Sequence, residues 1–383
     1  MNQTDNRIYL DNSATTRVCR EAAEKAMALM TDCYGNPSSI HQMGFAAEQE
    51  MTAAREAVAK ALGVQGGEIT FTSGGTEANN LAIFGGVEAK KRSGNKIVTT
   101  AVEHPSVLRC MEQLEQQGYE VVYLQPDKTG RISEEELAAA IDEKTILVSI
   151  MLVNNEVGAI QPVEAAAKAI AAKKAPSLLH VDAVQAFGKL PVKPKRMKID
   201  LLSVSGHKIH GPKGVGALYV KDGVRLRPQL LGGGQEKGLR SGTESMAMIG
   251  AFGAAVNALP SPSDALPNMQ ELHDYCREKL SAIDGVVFNS PADALPYIVN
   301  FSTMSVRSET MIHFLSAQNI FVSGGSACSG GKESHVLTAM EVGRAAVRSS
   351  IRVSFSRYST KADVDALAAA VAQGMKTLAK GKL

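Results

Sequence analysis

From about residue 17 to 258, short apolar runs alternate with helix-like stretches, and this alternation restricts the fold more than any other feature of the chain. EITFTS, KIVTTAVE, EVVYLQ, TILVSIML, SLLHVDA, DLLSVS and GVGALYV read as strands. REAAEKAMALM, AAEQEMTAAREAVAKALG, ISEEELAAAID and VEAAAKAIAAKK read as helices. Strands that alternate with helices predict an α/β unit around a mostly parallel sheet, with ligands gathering at the carboxyl ends of the strands. Near ALPSPSDALPN (258–268) the composition shifts to Pro and Ser, which predicts a linker. Beyond it, a helix in MQELHDYCREKLSAI, strands around VVFN, YIVNFST and SIRVSFS, and a terminal helix from about Lys361 predict a smaller α+β domain. The expected division is a large domain over residues 15–258, with residues 1–14 and 259–383 forming the small one.

Composition serves mainly to exclude. The 41 basic and 39 acidic residues are interspersed and leave a net charge of +2, which argues against a dedicated nucleic-acid surface. No apolar run is long enough to span a bilayer, and MNQTDNRIYLDNSATT lacks the pattern of a secretory signal, so a cytoplasmic location is expected. The five cysteines are scattered and never form a CxxC pair, so they suggest neither a disulfide framework nor a zinc site.

Two residues carry the first chemical signal. Asp182 ends the apolar run LLHVD, and Lys208 sits in the His- and Gly-rich turn that follows DLLSVS. A lysine after one strand, with a carboxylate ending the strand before it, suggests pyridoxal 5′-phosphate (PLP) chemistry. The amine would form a Schiff base, and the carboxylate would pair with the pyridinium nitrogen. TSGGTEANN (72–80) adds a Gly-rich strand-to-helix turn suited to a phosphate, without the lysine of a nucleotide-binding P-loop; a tight turn capped by Thr76 is the plainer alternative. His104, just past KIVTTA, can lie over a flat ring and move protons, or be a satisfied structural histidine. Asn155 in VNNEVG offers a donor and an acceptor, or simply makes a turn. The polar loop 232–245 could carry Thr243 across a dimer interface, or be a surface hairpin. Cys328, in SGGSACSGGKESHVL (323–337), lies between two Gly pairs in a polar setting unlike that of a core thiol, which suits a travelling nucleophile; an incidental cysteine in a mobile surface loop is the plainer alternative. Arg352 in SSIRVSFS can hold a carboxylate or pair with a neighbouring strand.

Taken in order, YLDNSATT, YGNPSSIHQMG, TSGGTEANN, EHPSV, VNNEVG, HVDAVQ, SGHKIHGPKG, RSGT, GSACSGG and SIRVS resemble the cysteine desulfurases of the NifS/IscS type, in the class V aminotransferase branch of the fold-type I PLP enzymes. The resemblance runs along nearly the whole chain. It implies that Lys208 forms the Schiff base and then moves the Cα proton of L-cysteine, while Asp182 pairs with the pyridinium nitrogen. Gln185 and Asn155 would bond the ring oxygen or the substrate, and His104 would stack on the ring. Gly75, Thr76, Ser205 and His207 would hold the phosphate, joined by Thr243 from the partner subunit of a homodimer with shared active sites. Arg352 would bind the cysteine carboxylate. Cys328 would take the sulfur as a persulfide, release alanine, and pass the sulfur to an iron–sulfur scaffold or another acceptor protein. Cys328 is also a candidate ligand to an iron–sulfur cluster shared with such a scaffold. A selenocysteine lyase or a class V aminotransferase is the alternative within the same branch. The sequence GSAC in a long loop resembles the subgroup with a mobile cysteine loop, and Gly75 stands where that family commonly has Ala or Cys.

Overall fold

The computed structural model describes residues 7–324 and 333–379. The chain begins with β1 (Ile8–Tyr9), α1 (Arg20–Thr31) and α2 (Gln42–Leu62). The imidazole of His41 caps the start of α2 by accepting from the Gly44 N–H, and Gly63 ends it in the left-handed conformation (φ 71°). The alternating region follows as β2 (Ile69–Thr72), α3 (Gly75–Lys90), β3 (Lys96–Thr100), α4 (Pro105–Gln116), β4 (Glu120–Leu124) and α5 (Glu134–Ala140). It continues through β5 (Thr145–Met151), α6 (Val163–Lys173), β6 (Leu178–Asp182), β7 (Leu201–Ser205) and β8 (Gly216–Val220).

These strands form one seven-stranded sheet in the order β2-β8-β7-β6-β5-β3-β4, in which only β8 runs against the others. The mostly parallel α/β sheet expected from the alternation is therefore present. β5, β6 and β7 are buried at every residue, as strands covered on both faces must be. Burial on both faces obliges the polar residues within them to find partners. Ser149 on β5 and Ser203 on β7 bond the two ring nitrogens of His180 on β6, at 2.8 and 3.0 Å.

The remaining elements are α7 (Met246–Asn257), α8 (Pro262–Ser281), β9 (Val287–Phe288), β10 (Ile298–Ser302), α9 (Ser308–Ser316) and β11 (Ile320–Phe321). They end with α10 (His335–Ala339), α11 (Arg344–Arg348), β12 (Ser350–Ser354) and α12 (Lys361–Thr377). The linker expected over 258–268 is shorter than its composition implied, because the helix beyond it starts early. Ser261 caps α8, Pro262 occupies a first-turn position where no N–H is needed, and Pro267 lies inside the helix. Strands β12, β10 and β9 make a small antiparallel sheet, and β1 pairs in parallel with β11. The N-terminal strand thus joins the C-terminal elements. From there residues 11–16 run to the ends of β7 and β12, where the Asn12 N–H donates to Ser354 O and the Thr16 N–H to His207 O.

Candidate active site

A cavity of ≈ 380 Å³ opens at the carboxyl ends of the parallel strands. Its walls include Gly75 and Thr76 after β2, His104 after β3, Asn155 after β5, Asp182 and Gln185 at the end of β6, and Ser205, His207 and Lys208 at the end of β7. Arg352, on β12, and His335, on α10, also line it. A larger cleft of ≈ 780 Å³, lined in part by Arg7, Tyr9, Lys213 and Tyr358, holds none of the residues expected at the site.

Lys208 stands in the turn that leaves β7, where its ammonium donates to the backbone oxygens of Ser13 and Ala14. Asp182 is held from two sides: the Val184 N–H donates to Oδ1 at 2.9 Å, and Asn79 Nδ2 to Oδ2 at 2.8 Å. The same Asn79 amide donates to Ser106 Oγ at 2.9 Å, and that hydroxyl meets His104 Nδ1 at 2.8 Å. Since the Ser106 N–H also points at His104 Nδ1, this nitrogen is an acceptor and the neutral ring carries its proton on Nε2. Burial lowers the His104 pKa, opposed by Asp182 and reinforced by Lys208 and His335, so the neutral ring prevails. His207 is pushed down to about 4 by burial, with Lys208, Lys213 and Lys189 adding to the effect.

Arg352 is buried, and both of its terminal nitrogens are engaged: NH1 donates to Asn155 O at 2.8 Å and NH2 to Asp11 Oδ1 at 2.9 Å. Its Nε is buried without a partner among the described residues. Burial raises the Asp11 carboxyl above its usual range, and Arg352 holds it back.

Two buried acids beside the site, Glu103 in EHPSV and Glu156 in VNNEVG, were not singled out in the sequence. Glu103 accepts from the Met151 N–H and from Thr100 Oγ1, each at 2.8 Å, tying the end of β3 to β5. Burial, with Asp182 adding, raises its carboxyl to about 8. Glu156 accepts from Ser334 Oγ at 2.5 Å and is raised by burial to about 7. Asn79, Ser13, Asp11, His335 and Lys189 were not singled out either, although TSGGTEANN contains Asn79, YLDNSATT contains Asp11 and Ser13, and SGGSACSGGKESHVL contains His335.

Thr243 is exposed and does not reach the cavity of its own chain. Cys328 lies outside the described residues. Of the described residues that flank it in sequence, Ser323 pairs backbone to backbone with Arg352, Ser334 holds Glu156, and His335 lines the cavity wall.

The residues present fit PLP. Among the described residues Ser205 Oγ is buried without a partner, and Ser205 lines the cavity together with Gly75 and Thr76. Those two residues open α3, whose first N–H groups have no intrahelical carbonyl to meet and so suit a phosphate. A braced carboxylate for the ring nitrogen and a lysine amine complete the set a PLP site requires. Gly74, which caps α3, has φ 152°, a conformation open to glycine.

The aminotransferase class-V family model matches residues 8–367. The cysteine desulfurase IscS of Methanosarcina thermophila is 42% identical over 367 residues, covering 94% of this chain and 90% of that protein. The cysteine desulfurase of Trichormus azollae is 43% identical over 363 residues, with 94% and 90% covered. Among solved structures, a NifS-like protein superposes with a TM-score of 0.91 at 40% identity, covering 97% of this chain and 100% of that one. The structure of SspA in complex with cysteine gives a TM-score of 0.81 at 35% identity, with 92% and 99% covered. The chain belongs to the aminotransferase class-V family and, within it, to the PLP-dependent cysteine desulfurases of the NifS/IscS type.

Proposed function

We propose that this cavity converts L-cysteine to L-alanine and leaves the sulfur as a persulfide on Cys328. The observation that carries the assignment is the convergence of Lys208, Asp182, His104, Gln185, Asn155, Ser205 and His207, from the ends of four strands, and of Arg352, from the middle of β12, on one cavity. PLP, when bound, supplies an electron sink for the pair released as bonds at the substrate carbon break. The chain's own residues do the rest. Gly75, Thr76, Ser205 and His207 hold the phosphate, and Asp182, braced by Asn79 and Val184, keeps its charge aimed at the ring nitrogen. Lys208 moves the proton at the substrate Cα. His104, neutral with its proton on Nε2, assists that transfer. The unpartnered Nε of Arg352, with Asn155, orients the substrate carboxylate.

In the overall exchange, an S–S bond forms between Cys328 and the substrate sulfur while the substrate Cβ–S bond breaks. The carbon–sulfur electron pair and one thiol proton finish on the alanine methyl, so no outside oxidant or reductant enters. Cys328 stands four residues beyond Gly324 in the sequence. The persulfide is then passed to an iron–sulfur scaffold or another acceptor protein in the cytoplasm, and Cys328 can share an iron–sulfur cluster with such a scaffold.

We read residues 15–258 as the cofactor-binding domain and residues 1–14 with 259–383 as the smaller domain, an assignment supported by the pairing of β1 with β11. A homodimer that lends Thr243 to its partner's phosphate site is supported by the exposure of Thr243 and by exposed apolar side chains at Met27, Met30, Tyr34, Ile40, Met43 and Phe45. Light scattering should find twice the 40.5 kDa chain mass.

The test of the reaction is sulfide and alanine release by Cys328→Ser and Lys208→Ala. Cys328→Ser should keep the visible band of bound cofactor, form no persulfide and release almost no sulfide. Lys208→Ala should bind PLP through the remaining contacts without turning over. Full activity in either variant would refute the role given to that residue.

A further inference from the structure

Lys189 is a buried lysine, 7% exposed, in the turn that follows β6, and none of its atoms lines the cavity. Among the described residues its ammonium makes one hydrogen bond, to Gln185 Oε1 at 3.2 Å, and lies 5.6 Å from the centre of the Tyr297 ring. No carboxylate of the described residues pairs with it, while the charges of Lys208 and Arg352 both bear on it. A buried cation without a counter-ion is costly, so its arrangement invites a functional account.

Gln185 supplies that account. Residues 183–190 turn tightly, with Phe187 N–H donating to Ala183 O and Leu190 N–H to Ala186 O, which brings Gln185 and Lys189 onto one side. The Gln185 amide is then held from both ends: Lys189 donates to its oxygen, and its Nε2 donates to Ser13 O at 3.0 Å. An ammonium can only donate and a carbonyl can only accept, so the reversed amide would set donor against donor and acceptor against acceptor. One Nε2 hydrogen serves Ser13, and the second is left for whatever occupies the cavity that Gln185 lines.

We propose that Lys189 is a positioning residue that fixes the direction of the Gln185 amide, so that the cofactor's phenolic oxygen meets an N–H and not an oxygen. The proposal rests on the reading that Gln185 faces that oxygen. Burial, reinforced by Lys208 and Arg352, lowers the Lys189 pKa to about 7.

The test is a pH titration of the visible band of the bound cofactor in the holoenzyme, for Lys189→Met, Gln185→Leu and the double variant. An N–H to the phenolic oxygen weakens the hold of that oxygen on the neighbouring imine proton. Removing it should raise the apparent pKa of the band by about half to one pH unit in each single variant. In the double variant the shift should equal that of Gln185→Leu alone, because Lys189 acts through Gln185. Met matches Lys in length, and thermal melts check that the variant folds. An unmoved band in Lys189→Met, or a Lys189 shift that persists undiminished beside Gln185→Leu, would overturn the positioning role while leaving Gln185 in place. An unmoved band in Gln185→Leu would overturn the underlying reading of Gln185 and the proposal with it.

Discussion

Replacing Arg352 by Met separates two jobs that one guanidinium performs. Toward the substrate, the side chain contributes charge-assisted hydrogen bonds to a carboxylate, each worth about 1.5–3 kcal/mol. Losing one should lower kcat/KM for cysteine by about 10- to 150-fold, chiefly through KM. Toward the fold, Arg352 neutralises Asp11 at 2.9 Å, and breaking a buried pair costs about 3–5 kcal/mol. The Asp11 side chain keeps 20% of its surface exposed and can take up a proton, so the low end of that range is expected. The loss depends on pH. The folded-state pKa of Asp11 is already raised by burial and is held back by Arg352, so it rises further in the variant. A group raised on folding contributes most below its unfolded pKa and loses that contribution as pH climbs through the folded value. Arg352→Met should therefore melt closest to the wild type near pH 5 and furthest below it near pH 8. Adding Asp11→Asn removes the stranded carboxylate, so the double variant should regain most of the Tm while KM stays high. Initial rates of alanine release across a cysteine series, with melts at both pH values, measure the two effects separately. A double variant whose KM returns to the wild-type value together with its Tm would refute the substrate role.

Two further outcomes follow from contacts at the site. Glu103, raised on folding to about 8, loses stability as pH rises from its unfolded value, with a slope of up to about 1.4 kcal/mol per pH unit. His180, lowered to about 4, acts in the opposite direction as pH falls below its unfolded value near 6.5. Lys189, lowered to about 7, opposes the Glu103 slope from pH 7 upward, so the reading is the difference between variant and wild type: the Tm of Glu103→Gln relative to wild type should climb between about pH 6.5 and 8, and a constant difference in thermal melts would count against a buried protonated acid. For Gly75→Ala, the added Cβ would lie 2.8 Å from Val184 Cγ2, so the substitution should destabilise by about 1–3 kcal/mol. Val184→Ala should restore the loss in melting experiments, and a failure to do so would place the strain elsewhere.

The parts of the site that were legible in the sequence are those attached to strand ends. Apolar runs such as TILVSIML and DLLSVS are visible because strands covered on both faces must be apolar throughout, and the polar residue that follows each run then stands at a carboxyl end. That reasoning located Asp182, Lys208, His104 and Asn155. It marked only the turn that opens α3 and not the helix itself, whose buried residues include Ala78, Leu81, Ala82, Gly85 and Gly86, because a helix covered on most sides shows little periodicity. It also overlooked residues whose role depends on a partner distant in sequence. Asp11 meets Arg352 across 341 positions, and Asn79 meets Asp182 across 103. Nothing local marks Lys189 as buried, since lysine is ordinarily exposed; only the turn after β6 puts it behind Gln185. Gly75 could be read as a phosphate-loop glycine, but its fit to Val184 appears only once the ends of β2 and β6 are brought together.

The charge around the cavity explains why a chain of nearly balanced composition can hold two anionic ligands. Lys208, Lys189 and Arg352 bring positive charge to this region, where Asp182 and Asp11 supply the opposing carboxylates. Glu103 and Glu156 would reverse the balance if both were ionised. Burial raises them to about 8 and about 7, so near neutrality Glu103 is mostly protonated and Glu156 is close to half so. The site is therefore left with room for the negative charge of a phosphate and of an amino-acid carboxylate. Because these ligands relieve repulsion that the folded chain otherwise bears, their binding free energy adds to the stability of the fold. Alkaline pH works in the opposite sense: as Glu103 and Glu156 ionise and Lys189 loses its proton, the cavity sheds its positive excess and its hold on both anions weakens together.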